Sequence, residues 1–198
     1  MKILALDSSG LVASVAVVEN DTLLAEYTVN YKKTHSQTLL PMLDEISNMT
    51  ELDLSTIDAI AVAGGPGSFT GLRIGSATAK GLGLALEKPL ISIPTTAAIA
   101  YNIWDTDKFV CPIMDARRNQ VYTGVYCYTD HRLDTVWEQD TMSIEALAEG
   151  LNCLDHEVIF LGDGVAVYQE NCRSFLRFRF VCTGAREPPE SGHSRSTG

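Results

Sequence analysis

Gly64-Gly65-Pro66-Gly67-Ser68-Phe69-Thr70-Gly71-Leu72-Arg73 is the stretch that decides how this chain folds. It follows the apolar run Ile57–Ala63, which reads as a buried strand, and it opens residues 68–86, which can continue as one long helix. A strand feeding a glycine-rich turn and then a helix N-terminus leaves backbone N–H groups unpaired at the positive end of the helix dipole. Such a corner suits an anion. The spacing excludes two well-known phosphate loops. No Lys-Ser/Thr pair follows Gly71, and Gly65, Gly67 and Gly71 miss the G-x-G-x-x-G pattern. The alternative is a tight strand-to-helix corner in which glycine only supplies unusual backbone angles.

Outward from this corner, residues 2–7, 11–18 and 22–29 read as three strands. Gly10 and Asn20-Asp21 are the turns between them, so an antiparallel meander is expected. Thr34 to Gln37 has capping-box spacing. Leu39, Met42, Leu43, Ile46 and Met49 then recur at helical spacing, with Pro41 predicting a kink unless the helix starts late. The strand 57–63, the helix 68–86, a short strand 90–93 and a helix from Thr95 complete a first unit, residues 1–105.

A second unit, 106–170, has strands at 110–114 and 121–128 joined by residues 115–120, and a third at 133–138. A helix over 143–151 capped by Ser143 and a strand at 158–161 follow, and the unit ends in the turn Gly162-Asp163-Gly164. No internal repeat is visible. From Asn171 the character changes: lysine disappears, and residues 185–198 contain no large apolar side chain. Residues 171–198 are therefore expected to be an aberrant, disordered tail, the product of an altered reading frame or a truncation, with a short natural isoform as the alternative. Phe175 to Val181 is the one part of it with strand character.

The chain has 198 residues, 45% of them hydrophobic and 20% charged, as expected of a globular protein able to bury a core. It contains no run of 18 apolar residues and its amino terminus leads directly into a strand, so neither a membrane span nor a signal peptide is expected. Five cysteines without a C-x-x-C point to reduced thiols and a cytoplasmic location. A net charge of −10 argues against this chain alone gripping a nucleic-acid backbone. The charge is uneven. Residues 1–170 hold 10 basic and 23 acidic groups (−13), and residues 171–198 hold 5 and 2 (+3).

Few side chains suggest catalysis. His35, His131, His156 and His193 are scattered, and no H-x-x-x-H places two imidazoles on one helix face, so no metal site is expected. Ser68 and Thr70 lack a nucleophile elbow and read as helix caps. Arg73 and the pair Arg117-Arg118 are the conspicuous bases, suited to a phosphate or to a partner's carboxylates. Gly71, Gly75, Ala79 and Gly83 recur every four residues and give one helix face a strip of small side chains. Each interior glycine costs about 1 kcal/mol relative to alanine, so a close approach must compensate. Either the protein's own sheet or a helix of another subunit can supply it.

The decapeptide 64–73 and its continuation Ile74-Gly75-Ser76-Ala77-Thr78-Ala79-Lys80-Gly81-Leu82 resemble the TsaB (YeaZ) family, dimerization subunit type 1 of the bacterial tRNA threonylcarbamoyladenosine-synthesising complex. Ile3–Ser9, Lys33–Pro41 and Met114–Arg118 resemble the same family in the same order, over residues 1 to about 170. The resemblance implies an α/β fold of ribonuclease-H-like units, as in the actin-like ATPases and sugar kinases (ASKHA), with two small domains, the second incomplete. It implies a non-catalytic scaffold that supports the TsaD enzyme in N6-threonylcarbamoylation of adenosine 37 of tRNA. A TsaE-type ATPase would be a further partner, the chain alone would be a homodimer, and tRNA would be met only through the complex. No cofactor is required, although ATP or ADP can sit at or near the partner interface, with Asp7, Gly65, Gly67 and Ser68 as the nucleotide-loop residues. Leu39, Met42, Leu43, Ile46, Gly71 and Gly75 would form the interface. The TsaD relative carries a histidine pair after the short strand, whereas Ile91–Tyr101 here offers no imidazole, carboxylate or thiol. The competing expectation is an independent ATP-dependent phosphotransferase of the same superfamily, supported by Asp7 and the loop 64–71.

Overall fold

The computed structural model describes residues 1–30, 35–176 and 180–183 and divides the chain into two units, 1–104 with 137–139, and 105–136 with 140–198. In the first, β1 (Lys2–Asp7), β2 (Ala13–Glu19) and β3 (Thr22–Val29) form the expected antiparallel meander. β4 (Ala59–Gly65) and β5 (Leu90–Pro94) extend the sheet in parallel, giving the order β3-β2-β1-β4-β5. Strict alternation along the strands sends Leu4, Leu6, Val15, Val17, Ile60 and Val62 to one face, where α1 (Leu39–Thr50) and α2 (Phe69–Leu86) cover them.

Helix α1 starts late, as the sequence allowed. Pro41 is its third residue, where the missing N–H would have had no intrahelical partner, so it requires no kink. The expected capping box begins at Thr34, outside the described residues, and Thr38 stands at the N-cap without a side-chain capping bond, its Oγ1 donating instead to the His35 carbonyl at 3.2 Å. The apolar stripe corrects an expectation. Leu39, Met42, Leu43 and Ile46 are at most 4% exposed and belong to the unit's own core, so they are not an assembly surface. The sheet behind them had to be covered, and α1 is the element that packs on β2 and β3.

In the second unit β6 (Phe109–Arg117), β7 (Gln120–Thr129) and β8 (Arg132–Ser143) are followed by α4 (Ile144–Leu154), β9 (Val158–Leu161), α5 (Gly164–Phe175) and β10 (Phe180–Thr183). The sheet order β8-β7-β6-β9-β10 repeats that of the first unit strand for strand, with β6/β7 antiparallel and β6/β9 and β9/β10 parallel. The chain is thus a structural duplication that its sequence does not display. The boundary expected at 171 falls inside α5. Val165, Tyr168 and Cys172 bury one face of that helix, and β10 pairs along β9, so the unit continues well past 170. The polar run Gln169-Glu170-Asn171 had masked the helical period. Residues 184–198, expected to be disordered, lie outside the described residues. Among the described residues no counterpart of α3 (Thr95–Ala100) follows β10.

Candidate functional site

The glycine-rich corner is closed by the protein's own backbone. The β1–β2 turn runs against it: the Ser68 N–H donates to the Ser9 carbonyl at 2.6 Å, and a Cβ on Gly67 would overlap that same carbonyl oxygen. Gly65 adopts φ +103°, which glycine alone reaches without strain. Ser68 caps α2, its Oγ accepting from the Gly71 N–H at 3.3 Å. Asp7 is exposed at the end of β1, and its Oδ1 accepts the Ser9 N–H at 2.8 Å. Of the four residues expected to line a nucleotide loop, Asp7, Gly67 and Ser68 are brought together around Ser9. Two of the corner's donors, the N–H groups of Ser68 and Gly71, are already satisfied internally, which leaves fewer for a phosphate.

The small strip on α2 also faces inward. Gly71, Gly75, Ala79 and Gly83 are buried, and a Cβ on Gly71 or Gly75 would overlap the Ser8 carbonyl or hydroxyl oxygen. Ser8 Oγ donates to the Gly71 carbonyl at 2.9 Å. Of the two partners the sequence left open for this strip, the protein's own β1–β2 turn is the observed one. Gly71 and Gly75 are thus packing residues, a correction to their expected place in an interface. His35, one turn away, bonds the Gly10 carbonyl through Nε2 at 2.9 Å, a structural role at the start of α1.

The outward face of α2 went unnoticed in the sequence. Phe69 (74% exposed), Arg73, Ala77 and Leu84 (84% exposed) lie on the side opposite the glycines. Phe69, Arg73 and Ala77, with Leu72, Lys80 and Leu90, border a groove of about 650 Å³ between α2 and the β4–β5 edge. The Arg73 guanidinium lies 5.2 Å from the Phe69 ring centroid, and neither Arg73 nor Lys80 forms an ion pair among the described residues. The signal was available: once the glycine strip is assigned to the inside, Phe69, Arg73 and Ala77 at i, i+4 and i+8 must lie outside. On the opposite face of the sheet, Ala5, Ala16, Ala61 and Ala63 with Asp7 and Ala98 border a smaller hollow of about 150 Å³.

In the second unit the β6–β7 turn carries three consecutive non-glycine residues in the left-handed region, Arg117 (φ +65°), Arg118 (+51°) and Asn119 (+61°). That conformation costs roughly 1–2 kcal/mol per residue, so the surroundings must hold it in place. Asp115 Oδ1 accepts from the Arg117 N–H at 2.8 Å and from the Tyr168 hydroxyl at 3.1 Å, and Asp163 Oδ1 accepts the Asp115 N–H at 3.3 Å. The Asn119 amide donates to both Glu145 oxygens, at 2.9 and 3.1 Å. A backbone hydrogen bond and the Asn119 bond lower the Glu145 carboxyl, while burial and Asp115 raise the Tyr168 hydroxyl. Both arginine side chains are exposed. Among the described residues no three of His, Cys, Asp and Glu come together to hold a metal, and no helix is long and apolar enough to cross a membrane.

Two units of matching strand order, each with its strand-to-helix glycine corner, define the two-domain actin-like ATPase fold. The crystal structure of ethanolamine utilization protein EutJ from Carboxydothermus hydrogenoformans shares that fold, with a TM-score of 0.51 at 13% identity over 92% of this chain and 84% of that one. YeaZ from Pseudomonas aeruginosa superposes with a TM-score of 0.77 at 28% identity, over 94% of this chain and 85% of its own. The Bacillus subtilis (strain 168) protein named tRNA threonylcarbamoyladenosine biosynthesis protein TsaB is 34% identical over 190 residues, 96% of this chain and 83% of the relative. Its namesake in Escherichia coli (strain K12) is 32% identical over 83% of this chain and 72% of the relative. The family model described as TsaD, tRNA N6-adenosine threonylcarbamoyltransferase, matches residues 22–183. The chain belongs to the TsaB (YeaZ) family. The likeness runs beyond residue 170, where the sequence motifs had ended it, and takes in α5 and β10.

Proposed function

We propose that this chain is a non-catalytic scaffold subunit in the biosynthesis of threonylcarbamoyladenosine in tRNA, supporting and orienting a TsaD-type catalytic subunit. The observation that carries the proposal is the 34% identity, over nearly the whole chain, to a relative named for that pathway. The non-catalytic role is supported by the segment β5–α3, where Ile91–Tyr101 presents no imidazole, carboxylate or thiol. Docking falls to the outer face of α2, where Phe69 and Ala77 line a groove with two cations and exposed Leu84 extends the apolar face, a surface that fits an apolar helix bearing carboxylates. The same face serves a second copy when the chain is alone, so homodimer and heterodimer compete. A TsaE-type ATPase joins the assembly. The scaffold needs no cofactor of its own, and any ATP or ADP is held at or near the partner interface.

Reconstitution tests this. Threonylcarbamoyl transfer to adenosine 37 of an unmodified tRNA transcript should require this chain together with TsaD- and TsaE-type subunits, and the chain alone should give no turnover. ATP-dependent phosphorylation of a small substrate by the chain alone, abolished by Asp7→Asn, would instead establish an independent phosphotransferase.

A further inference from the structure

We propose that the β6–β7 turn is a phosphodiester contact, with Arg117 and Arg118 taking backbone phosphates of tRNA once the complex has assembled; this rests on the function proposed above. The turn is held rigidly. Asp115, Asp163, Glu145 and Tyr168, drawn from β6, α4, α5 and the loop before it, fix three left-handed residues in succession. What this costly turn presents to solvent is two adjacent exposed guanidiniums, neither with a side-chain partner among the described residues. The carboxylates around them are engaged elsewhere: Asp115 and Asp163 accept backbone N–H groups, and Glu145 accepts the Asn119 amide.

A second, independent observation lies in the distribution of arginine. Of the nine arginines only Arg73 precedes residue 105, while five of the six lysines do. Arginine's planar fork of donors matches phosphate oxygens in pairs, and its weak hydration favours contacts with nucleic acid. Two neighbouring guanidiniums on an exposed tip suit the repeated single charges of a polymer backbone better than one isolated carboxylate of a protein partner. The net charge of −10 keeps RNA off the free chain, so the contact forms only where a partner subunit supplies the main grip.

The test measures binding of a labelled, unmodified tRNA transcript to the reconstituted complex across 50–200 mM salt. Arg117→Asn and Arg118→Asn are the variants, singly and together, because asparagine tolerates left-handed angles and keeps the turn. Each substitution should reduce the slope of log affinity against log salt by about 1, and the pair by about 2. Co-elution with the TsaD-type subunit and the circular dichroism spectrum should not change. Lys88→Asn, on the other unit and outside the docking groove, should leave the slope as it is. An unchanged slope in an intact complex overturns the contact while leaving the scaffold function standing. Loss of assembly in the turn variants overturns it in favour of a carboxylate on the partner protein. A wild-type chain that binds no TsaD-type subunit removes both proposals.

Discussion

Asp7 and Asp115 stand near the ends of the first strands of the two units, Asp7 as the last residue of β1 and Asp115 two residues before the end of β6, and each accepts through Oδ1 the N–H of the residue two positions on, at 2.8 Å. The two turns then diverge. In the first the next residues are Ser8 and Ser9, which fold down onto the glycine corner. In the second they are Ala116 and Arg117, and Tyr168 adds a second donor to Asp115.

This difference makes the two aspartates unequal. Asp7→Ala removes one exposed turn bond and should cost about 1 kcal/mol or less, whereas Asp115→Ala also strips the Tyr168 hydroxyl of its carboxylate and should cost about 1–2 kcal/mol more. Urea midpoints of the two variants, measured at equal slope, check the order. Equal losses would show that the left-handed turn does not depend on Tyr168.

The inward glycine strip predicts opposite signs for one substitution at two positions of α2. Gly71→Ala sets a methyl group into the Ser8 carbonyl and should destabilise by about 1–3 kcal/mol, despite the better helix propensity of alanine. Gly81 is exposed with nothing within 4 Å of an added Cβ, so Gly81→Ala should stabilise by about 0.5–1 kcal/mol. Thermal or denaturant unfolding separates the two.

Carboxylates on α1 and α2 should fail in different ways. Leu43→Glu places an unpaired charge among Leu39, Ile46 and the sheet, and should unfold the chain or leave it without a cooperative transition. Ala77→Glu lies on the groove wall and should preserve the circular dichroism spectrum while weakening both self-association and capture of a TsaD-type subunit. A soluble, folded Leu43→Glu that loses only its partners would return α1's apolar stripe to the interface.

Cys111 links stability to alkaline pH. Burial raises its thiol from 9.0 to about 12, opposed in part by the Thr123 hydroxyl at 3.3 Å. Between those values the folded chain keeps a proton that the unfolded chain has released. The contribution is therefore complete below pH 9 and is lost as pH rises toward 12. Urea midpoints should fall between pH 8.5 and 10.5, with a shallower decline in Cys111→Ala. At neutral pH a thiol reagent should label exposed Cys153 well before Cys111.

Local patterning alone determined most of the elements. Strand-like apolar runs located β1–β9, helical spacing located α1, the glycine-rich turn and the Ser143 cap located α2 and α4, and Gly10, Asn20-Asp21 and Gly162 marked turns, because each signal depends on residues a few positions apart. The motif 64–82 was enough to point to the family. Which side of a helix is inside was another matter. An apolar stripe such as Leu39–Ile46 and a glycine strip such as Gly71–Gly83 are each compatible with the protein's own sheet or with another subunit. Only the three-dimensional arrangement, with β2 and β3 under α1 and Ser8 against α2, assigned both to the interior. The duplicated strand order and the left-handed turn at Arg117–Asn119 likewise rest on hydrogen bonds between residues tens of positions apart, such as Tyr168 to Asp115. Sequence periodicity reports what a segment buries, but not what covers it, because the covering surface is made by distant parts of the chain.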